Sequence, residues 1–226
     1  MNELLNLPFC GILISIAAYS IGVIVCNKYR FAFINPLLIS IIITLCVIIF
    51  TPISAVHYQK GGNIITLFIL PATVVFAINV YRQRYVMLAN LVPLLAGCAA
   101  GSCASIISIK FLSKLLKIEE TLVNSMLPKS VTTAIALELS AQHGGIPAVT
   151  IAAVTITGIS ISLAGPAFVS RLHLKDRIAA GCAMGMSGHA IGTARALALG
   201  SIEGGMAGIS LCFAGIVTSV LFLFLP

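Results

Sequence analysis
Charge is scarce in this sequence. Asp, Glu, Lys and Arg make up 8% of its 226 residues, against roughly 25% in soluble domains, too few to cover a globular surface exposed to water. A water-soluble fold is excluded. Motifs for catalysis are missing as well. No Ser-His-Asp, paired-carboxylate, P-loop or dinucleotide pattern occurs with the strand-turn-helix context it requires, so no enzyme is expected. The seven cysteines, Cys10, Cys26, Cys46, Cys98, Cys103, Cys182 and Cys212, lie inside or at the ends of apolar runs without CxxC pairs. No His cluster has metal-ligand spacing, so the thiols read as small packing residues and neither metal nor cofactor is expected. No linker or low-complexity segment divides the chain. One transmembrane domain over 1–226 is therefore expected.

Hydrophobic residues make up 59% of the chain and the mean hydropathy is +1.12. Apolar runs long enough for a hydrocarbon core of about 30 Å cover 7–27, 33–52, 61–81, 86–109, 146–169 and 204–225. Two further stretches, 124–142 and 178–199, are apolar but broken by Pro, Gly, Ser, Thr and charges. The expected fold is an all-α polytopic membrane protein with about six full spans and two broken or re-entrant segments. The first run follows Glu3, has no small-x-small cleavage site and ends at Lys28, so it reads as a permanent helix and not a signal peptide. The net charge of +7 sits mostly in short loops, as the positive-inside rule expects, and gives no reason to expect nucleic acid.

Residues Leu70-Pro71-Ala72-Thr73-Val74-Val75-Phe76-Ala77-Ile78 align with Leu127-Pro128-Lys129-Ser130-Val131-Thr132-Thr133-Ala134-Ile135. The match suggests related segments at about 61–112 and 118–172. Proline-interrupted segments in corresponding halves are the best sequence pointer to a transporter's binding site, because a broken helix exposes half-helix ends at membrane depth. With the N-terminus outside, Lys28, Arg30, Arg82 and Arg84 fall inside. Arg171, Lys175 and Arg177 join them if 124–142 re-enters, leaving Lys60, Lys110, Lys114 and Lys117 outside. That bias favours re-entry and inverted halves; a full crossing would make the halves parallel.

Pro128 suits a helix start, so a half-helix is expected from near Lys129 to the break at Gly144-Gly145. Its N–H groups favour an anion, with hydroxyls from Ser130, Thr132 and Thr133. A cation at a helix N-terminus is unfavourable unless an anion lies between them, so Lys129 reads as half of a carboxylate or phosphate receptor. The alternative is a lysine snorkelling to the interface. Glu138 reads either as a proton-coupling carboxylate or as a structural partner for His143, Arg195 or a backbone group. In 181–205, Gly181, Gly185, Gly188 and Gly192 permit close helix approach, and Gly188-His189 and Gly192-Thr193 also permit an unwound turn. His189 and Thr193 share a face. The histidine binds substrate or relays protons, or it is a hydrogen-bonded packing residue. Arg195 is expected to reach Glu203, Glu138 or the substrate. Asn79 is a weaker candidate.

At these residues the chain resembles the LrgB-like family, which includes LrgB and CidB proteins and the C-terminal half of the plastid glycolate/glycerate translocator. The resemblance is carried by Leu70-Pro71-Ala72-Thr73-Val74, by Leu127-Pro128-Lys129-Ser130-Val131-Thr132-Thr133, by His189-Ala190-Ile191-Gly192-Thr193-Ala194-Arg195-Ala196 and by Glu203-Gly204. It covers nearly the whole chain. Ala134 stands where the family commonly has Pro, and Asn79-Val80-Tyr81 where it tends towards Pro-Leu-Tyr; the first departure bears on where the half-helix breaks. The resemblance implies a multi-pass protein of the bacterial inner membrane, often encoded beside a small LrgA-like partner. It implies either transport of small monocarboxylates such as pyruvate, glycolate or glycerate, or holin/antiholin-like control of murein hydrolase export and lysis. A non-transporting scaffold is the third possibility. The residues favour transport: Lys129, Ser130, Thr132 and Thr133 would bind the carboxylate, His189, Gly192 and Thr193 would complete the site, and Glu138 or His189 would couple protons. Small-residue-rich helices make a homodimer plausible.

Overall fold
A computed structural model describes residues 8–29, 36–174 and 176–225, without the side chains of Tyr29, Phe76 and Asn79. Glu3, Arg30, Lys175 and the side chain of Asn79, all used in the sequence argument, lie outside the described residues. Every regular element described is a helix, as a bilayer requires of a chain that must satisfy its backbone polar groups internally. The order is α1 (Pro8–Tyr29), α2 (Pro36–Phe50), α3 (Ala55–Thr66), α4 (Ile69–Arg82), α5 (Arg84–Ala89), α6 (Leu91–Leu116), α7 (Glu120–Met126), α8 (Thr133–Gln142), α9 (Pro147–Arg171), α10 (Arg177–Leu199) and α11 (Ser201–Phe222).

Five stretches are long and apolar enough to cross a membrane: Pro8–Lys28, Ala55–Arg82, Leu91–Leu116, Pro147–Arg171 and Ser201–Phe222; the sixth apolar run is the shorter helix Pro36–Phe50. The first member of the sequence repeat begins just after the turn at 67–68, and the second spans the turn between α7 and α8.

The chain forms two compact units, Met1–Val75 and Phe76–Pro226. In the first, α1 packs on α2 and α3 through glycines. A side chain at Gly11 would run into the Tyr58 carbonyl, and one at Gly22 into the Pro36 carbonyl. The hydroxyls of Ser15 and Tyr58 share a hydrogen bond of 2.9 Å across the same crossing. Ser54 caps α3 by accepting from the His57 N–H, which satisfies one of the free donors of its first turn.

The second unit holds the two broken stretches, and both fold back on themselves. In the first, Asn124 Nδ2 donates to the His143 carbonyl at 2.9 Å and Ile146 N–H donates to Ser125 Oγ at 2.7 Å. The two ends of α7–turn–α8 are therefore neighbours, and the segment is a hairpin. In the second, helical hydrogen bonding runs through Arg177–Leu199, but His189 has φ 41° and ψ −133°. A straight helix of that length would separate its ends by roughly 33 Å. Here Arg177 instead grips Glu203, just past Gly200, with Nε–Oε1 at 2.7 Å and Nη2–Oε2 at 2.9 Å. Residues 177–188 go in, His189 is the tip, and 190–199 come back.

The hairpins enter from opposite ends. Residues 177–188 run parallel to α11, with Gly181 against Glu203 and Gly185 against Ala207. They run antiparallel to α9, with Met184 by Gly165 and Gly188 by Ile161. The first hairpin packs Leu127 and Leu139 against Ile106 and Ile109 of α6 and Phe222 at the far end of α11. Backbone-to-backbone approach at Gly181 and Gly185 leaves no room for a Cβ, the small-residue packing that membrane helices use in place of a hydrophobic driving force.

Candidate functional site
The tips of both hairpins reach Val154, about a third of the way along α9. Val131, at the first tip, packs on its side chain, and His189 Nε2 lies 2.8 Å from its carbonyl oxygen, so this nitrogen carries the proton and donates. The break in the first hairpin falls at Pro128, which lacks an N–H and would drive its ring into the preceding turn if the helix continued. The chain tightens into turns, with Lys129 N–H on the Met126 carbonyl and Val131 N–H on that of Pro128. Thr132 is extended and α8 starts at Thr133. The half-helix thus begins four residues later than the expected start at Lys129, and the lysine sits in the turn and not in a first helical turn.

Beside that turn lies a cavity of about 430 Å³, with Lys129, Ser130, Ser105, Ser108, Thr157 and Ser187 among its lining residues. Ser105 and Ser130 Oγ atoms are 2.7 Å apart. Ser108 donates to the Ser105 carbonyl and Thr157 to that of Ala153. Each of these hydroxyls keeps acceptor or donor capacity for a guest. The Lys129 side chain makes no hydrogen bond or ion pair with any described residue. A half-buried ammonium facing a hydroxyl-lined cavity, without a carboxylate beside it, is suited to an anion.

The remaining predicted residues are distributed unevenly. Thr132 and Thr133 follow the turn but do not line this cavity, and Thr133 is exposed. His189, Gly192 and Thr193 are buried in the second tip. Thr193 Oγ1 donates to the His189 carbonyl at 2.8 Å, and Gly192 folds onto the Met184 carbonyl. None of the three lines the cavity; the His189 ring packs against Gly158, the neighbour in sequence of the lining residue Thr157. Glu138 is exposed and accepts from Gln142 Nε2 at 3.1 Å. Arg195 is exposed and pairs with neither Glu138 nor Glu203 among the described residues. Glu203 takes Arg177 instead, because the fold-back brings the start of α10 to the start of α11.

Sequence reasoning missed Ser105, Ser108, Thr157, Ser187 and Arg177. A signal for the serines was present: Ser102, Ser105 and Ser108 repeat every three residues along one face of an otherwise apolar span.

The LrgB-like family model matches residues 15–226. Among curated proteins, the chain is 33% identical over 221 residues to the antiholin-like protein LrgB of Bacillus mycoides (strain KBAB4), covering 97% of this chain and 96% of the relative. The proteins of the same name from Bacillus cereus (strain B4264) and Bacillus anthracis (strain CDC 684 / NRRL 3495) are 34% identical over the same shares. No solved structure matches.

Proposed function
We propose that this chain, which belongs to the LrgB-like family, carries small monocarboxylates of the pyruvate, glycolate and glycerate class across the bacterial inner membrane. One observation carries the reading: the unpaired Lys129 in a hydroxyl-lined cavity where two hairpins, entering from opposite ends, come together. Discontinuous helices that expose polar groups at depth are how many secondary transporters bind charged solutes. The ammonium would take the carboxylate, and the serine and threonine hydroxyls would take its remaining lone pairs and any hydroxyl or keto oxygen. Coupling to a proton or another ion belongs to the same proposal, as do an inverted relation between halves, a homodimer and an LrgA-like partner. Of the two side chains the sequence offers for proton coupling, neither lines the cavity; His189 packs against Gly158, next to the lining residue Thr157, and Glu138 lines a different cavity.

A second reading, holin/antiholin-like control of murein hydrolase export and lysis, is favoured by a different observation. The relatives are named antiholin-like, and that name supports this reading better than it supports carboxylate transport, which rests on the cavity.

The test is uptake of labelled pyruvate and glycolate into proteoliposomes containing this protein alone, with and without a pH gradient, beside a folded Lys129→Ala variant. A charge-assisted hydrogen bond contributes about 1.5–3 kcal/mol, so the variant should lose roughly ten- to a hundred-fold in apparent affinity. Absence of saturable uptake, alone and with the LrgA-like partner, or leakage of unrelated solutes, would refute transport in favour of the second reading.

A further inference from the structure
Residues 177–188 lie along α6 in parallel register. Cys182 comes beside Gly97, and one turn further Met186 comes beside Gly101. Two cavities lie along this seam. The first, of about 320 Å³, is at the end where both helices begin, and Asn90, Pro93, Gly97, Asp176, Cys182 and Met186 are among its lining residues. The second is the Lys129 cavity. Met186 lines both, and its terminal methyl occupies the space that a side chain at position 101 would need.

We infer that the seam between α6 and residues 177–188 is the access route to the Lys129 cavity from one end of the bundle, with Met186 as its constriction. The inference rests on the proposed function for what passes through, but not for the existence of the route. The first cavity is a vestibule. Asp176 lines its mouth and caps α10, accepting from Ile178 N–H at 2.8 Å. Beyond it Pro93, Leu94, Gly97, Ala179, Cys182 and Ala183 line the wall down to Met186, and past Met186 the hydroxyls of Ser187, Ser102 and Ser105 begin. One unbranched, flexible thioether between two cavities is what a constriction requires: three rotatable bonds let the side chain swing aside without moving the backbone. Gly101 sets the closed position, since it alone leaves the space that the methionine tip fills. Met186 is thus a specificity-determining residue that passes solutes small enough to slip by its displaced side chain.

The test uses full-length protein in proteoliposomes, a membrane-impermeant maleimide and peptide mass mapping of labelled thiols. Native Cys182 reports on the vestibule, and Ser187→Cys reports on the space beyond the constriction. The expected result is steady labelling of Cys182 in every background. Ser187→Cys should label slowly with Met186 present and about tenfold faster with Met186→Ala, since access governs thiol reactivity, and Met186→Leu should restore slow labelling. If Ser187→Cys does not fold, Ser105→Cys replaces it. Equal rates with Met186 and Met186→Ala, or an unreactive Cys182, would overturn the route. Labelling needs no substrate, so the two proposals fail separately. Accelerated labelling without pyruvate or glycolate flux sinks the transport reading and leaves the route. Lys129-dependent flux with equal labelling rates does the reverse.

Discussion
Replacing His189 by alanine and by glycine gives a test of the second hairpin whose sign, and not just its size, is fixed by the backbone. At φ 41° and ψ −133° an L-residue pays about 1–3 kcal/mol of strain that glycine avoids. Both substitutions remove the ring and leave the buried Val154 carbonyl without its donor, a loss of about 1–3 kcal/mol that is common to the two and cancels in their comparison. The Ala variant keeps the strain; the Gly variant relieves it. Were Arg177–Leu199 one uninterrupted helix, glycine would instead be worse than alanine by about 1 kcal/mol. The two arrangements therefore predict opposite orders. Thermal unfolding of the purified protein in detergent, followed by a dye that reacts with newly exposed thiols, measures the difference, and the seven cysteines supply the signal. For a chain of this size 1 kcal/mol corresponds to roughly 2–4 °C, so His189→Gly should unfold several degrees above His189→Ala and at or somewhat below the parent. An alanine variant as stable as the glycine variant, or more so, would refute the tip geometry and with it the fold-back of 177–199.

Other substitutions address separate parts of the architecture. Arg177→Ala and Glu203→Gln should each lower the unfolding temperature, and the double variant should be little worse than either, because each single change already opens the clamp at the hairpin base; additive losses in the same melts would contradict this. Gly185→Val should fail to give a monodisperse protein on size exclusion, since its side chain would enter the Ala207 carbonyl, whereas Gly62→Ala, whose added methyl would meet only the Gln59 side chain at ordinary contact distance, should behave as the parent. Ser130→Ala should weaken substrate affinity by about tenfold or less, in keeping with about 1 kcal/mol for one neutral hydrogen bond, measured as KM in the uptake assay. Glu138→Gln should keep both uptake and its dependence on a pH gradient, because the carboxylate is exposed away from the cavity; loss of the gradient effect would return Glu138 to a coupling role.

The apolar runs were legible because a span needs length and hydrophobicity and little else. The breaks were legible for the same local reason: Pro128 removes a donor, and Gly188 next to His189 loosens a helix. What the second break does was not. Whether 178–199 crosses or folds back depends on Arg177 finding Glu203, 26 positions later, and the sequence offered Arg195 as an equally good partner for the same carboxylate. Lys129 was conspicuous because its charge is costly in such surroundings. Ser105, Ser108, Thr157 and Ser187 were not, since hydroxyls are tolerated anywhere on a membrane helix by donating to the carbonyl one turn back, as Ser108 and Thr157 do here. The half-helix was placed four residues early because Pro128 at a helix start and Pro128 at a turn look alike until Thr132 is seen to be extended.

The glycine contacts that hold residues 177–188 to α11 also divide the unit mechanically. Where backbone lies directly on backbone, as at Gly181 on Glu203 and Gly185 on Ala207, there is no layer of side chains to shear, so 177–199 and α11 must travel as one stiff body. No glycine welds the first hairpin to α6 or α11; its close backbone approach, Gly145 on Ser125, is internal to its own base. It is held by side-chain packing on α6 and by the hydrogen bonds of Asn124 and Ser125 at its base, contacts that can exchange partners over a small displacement. If the cavity opens alternately to its two ends, the first hairpin is the arm that moves, and the lysine rides on it.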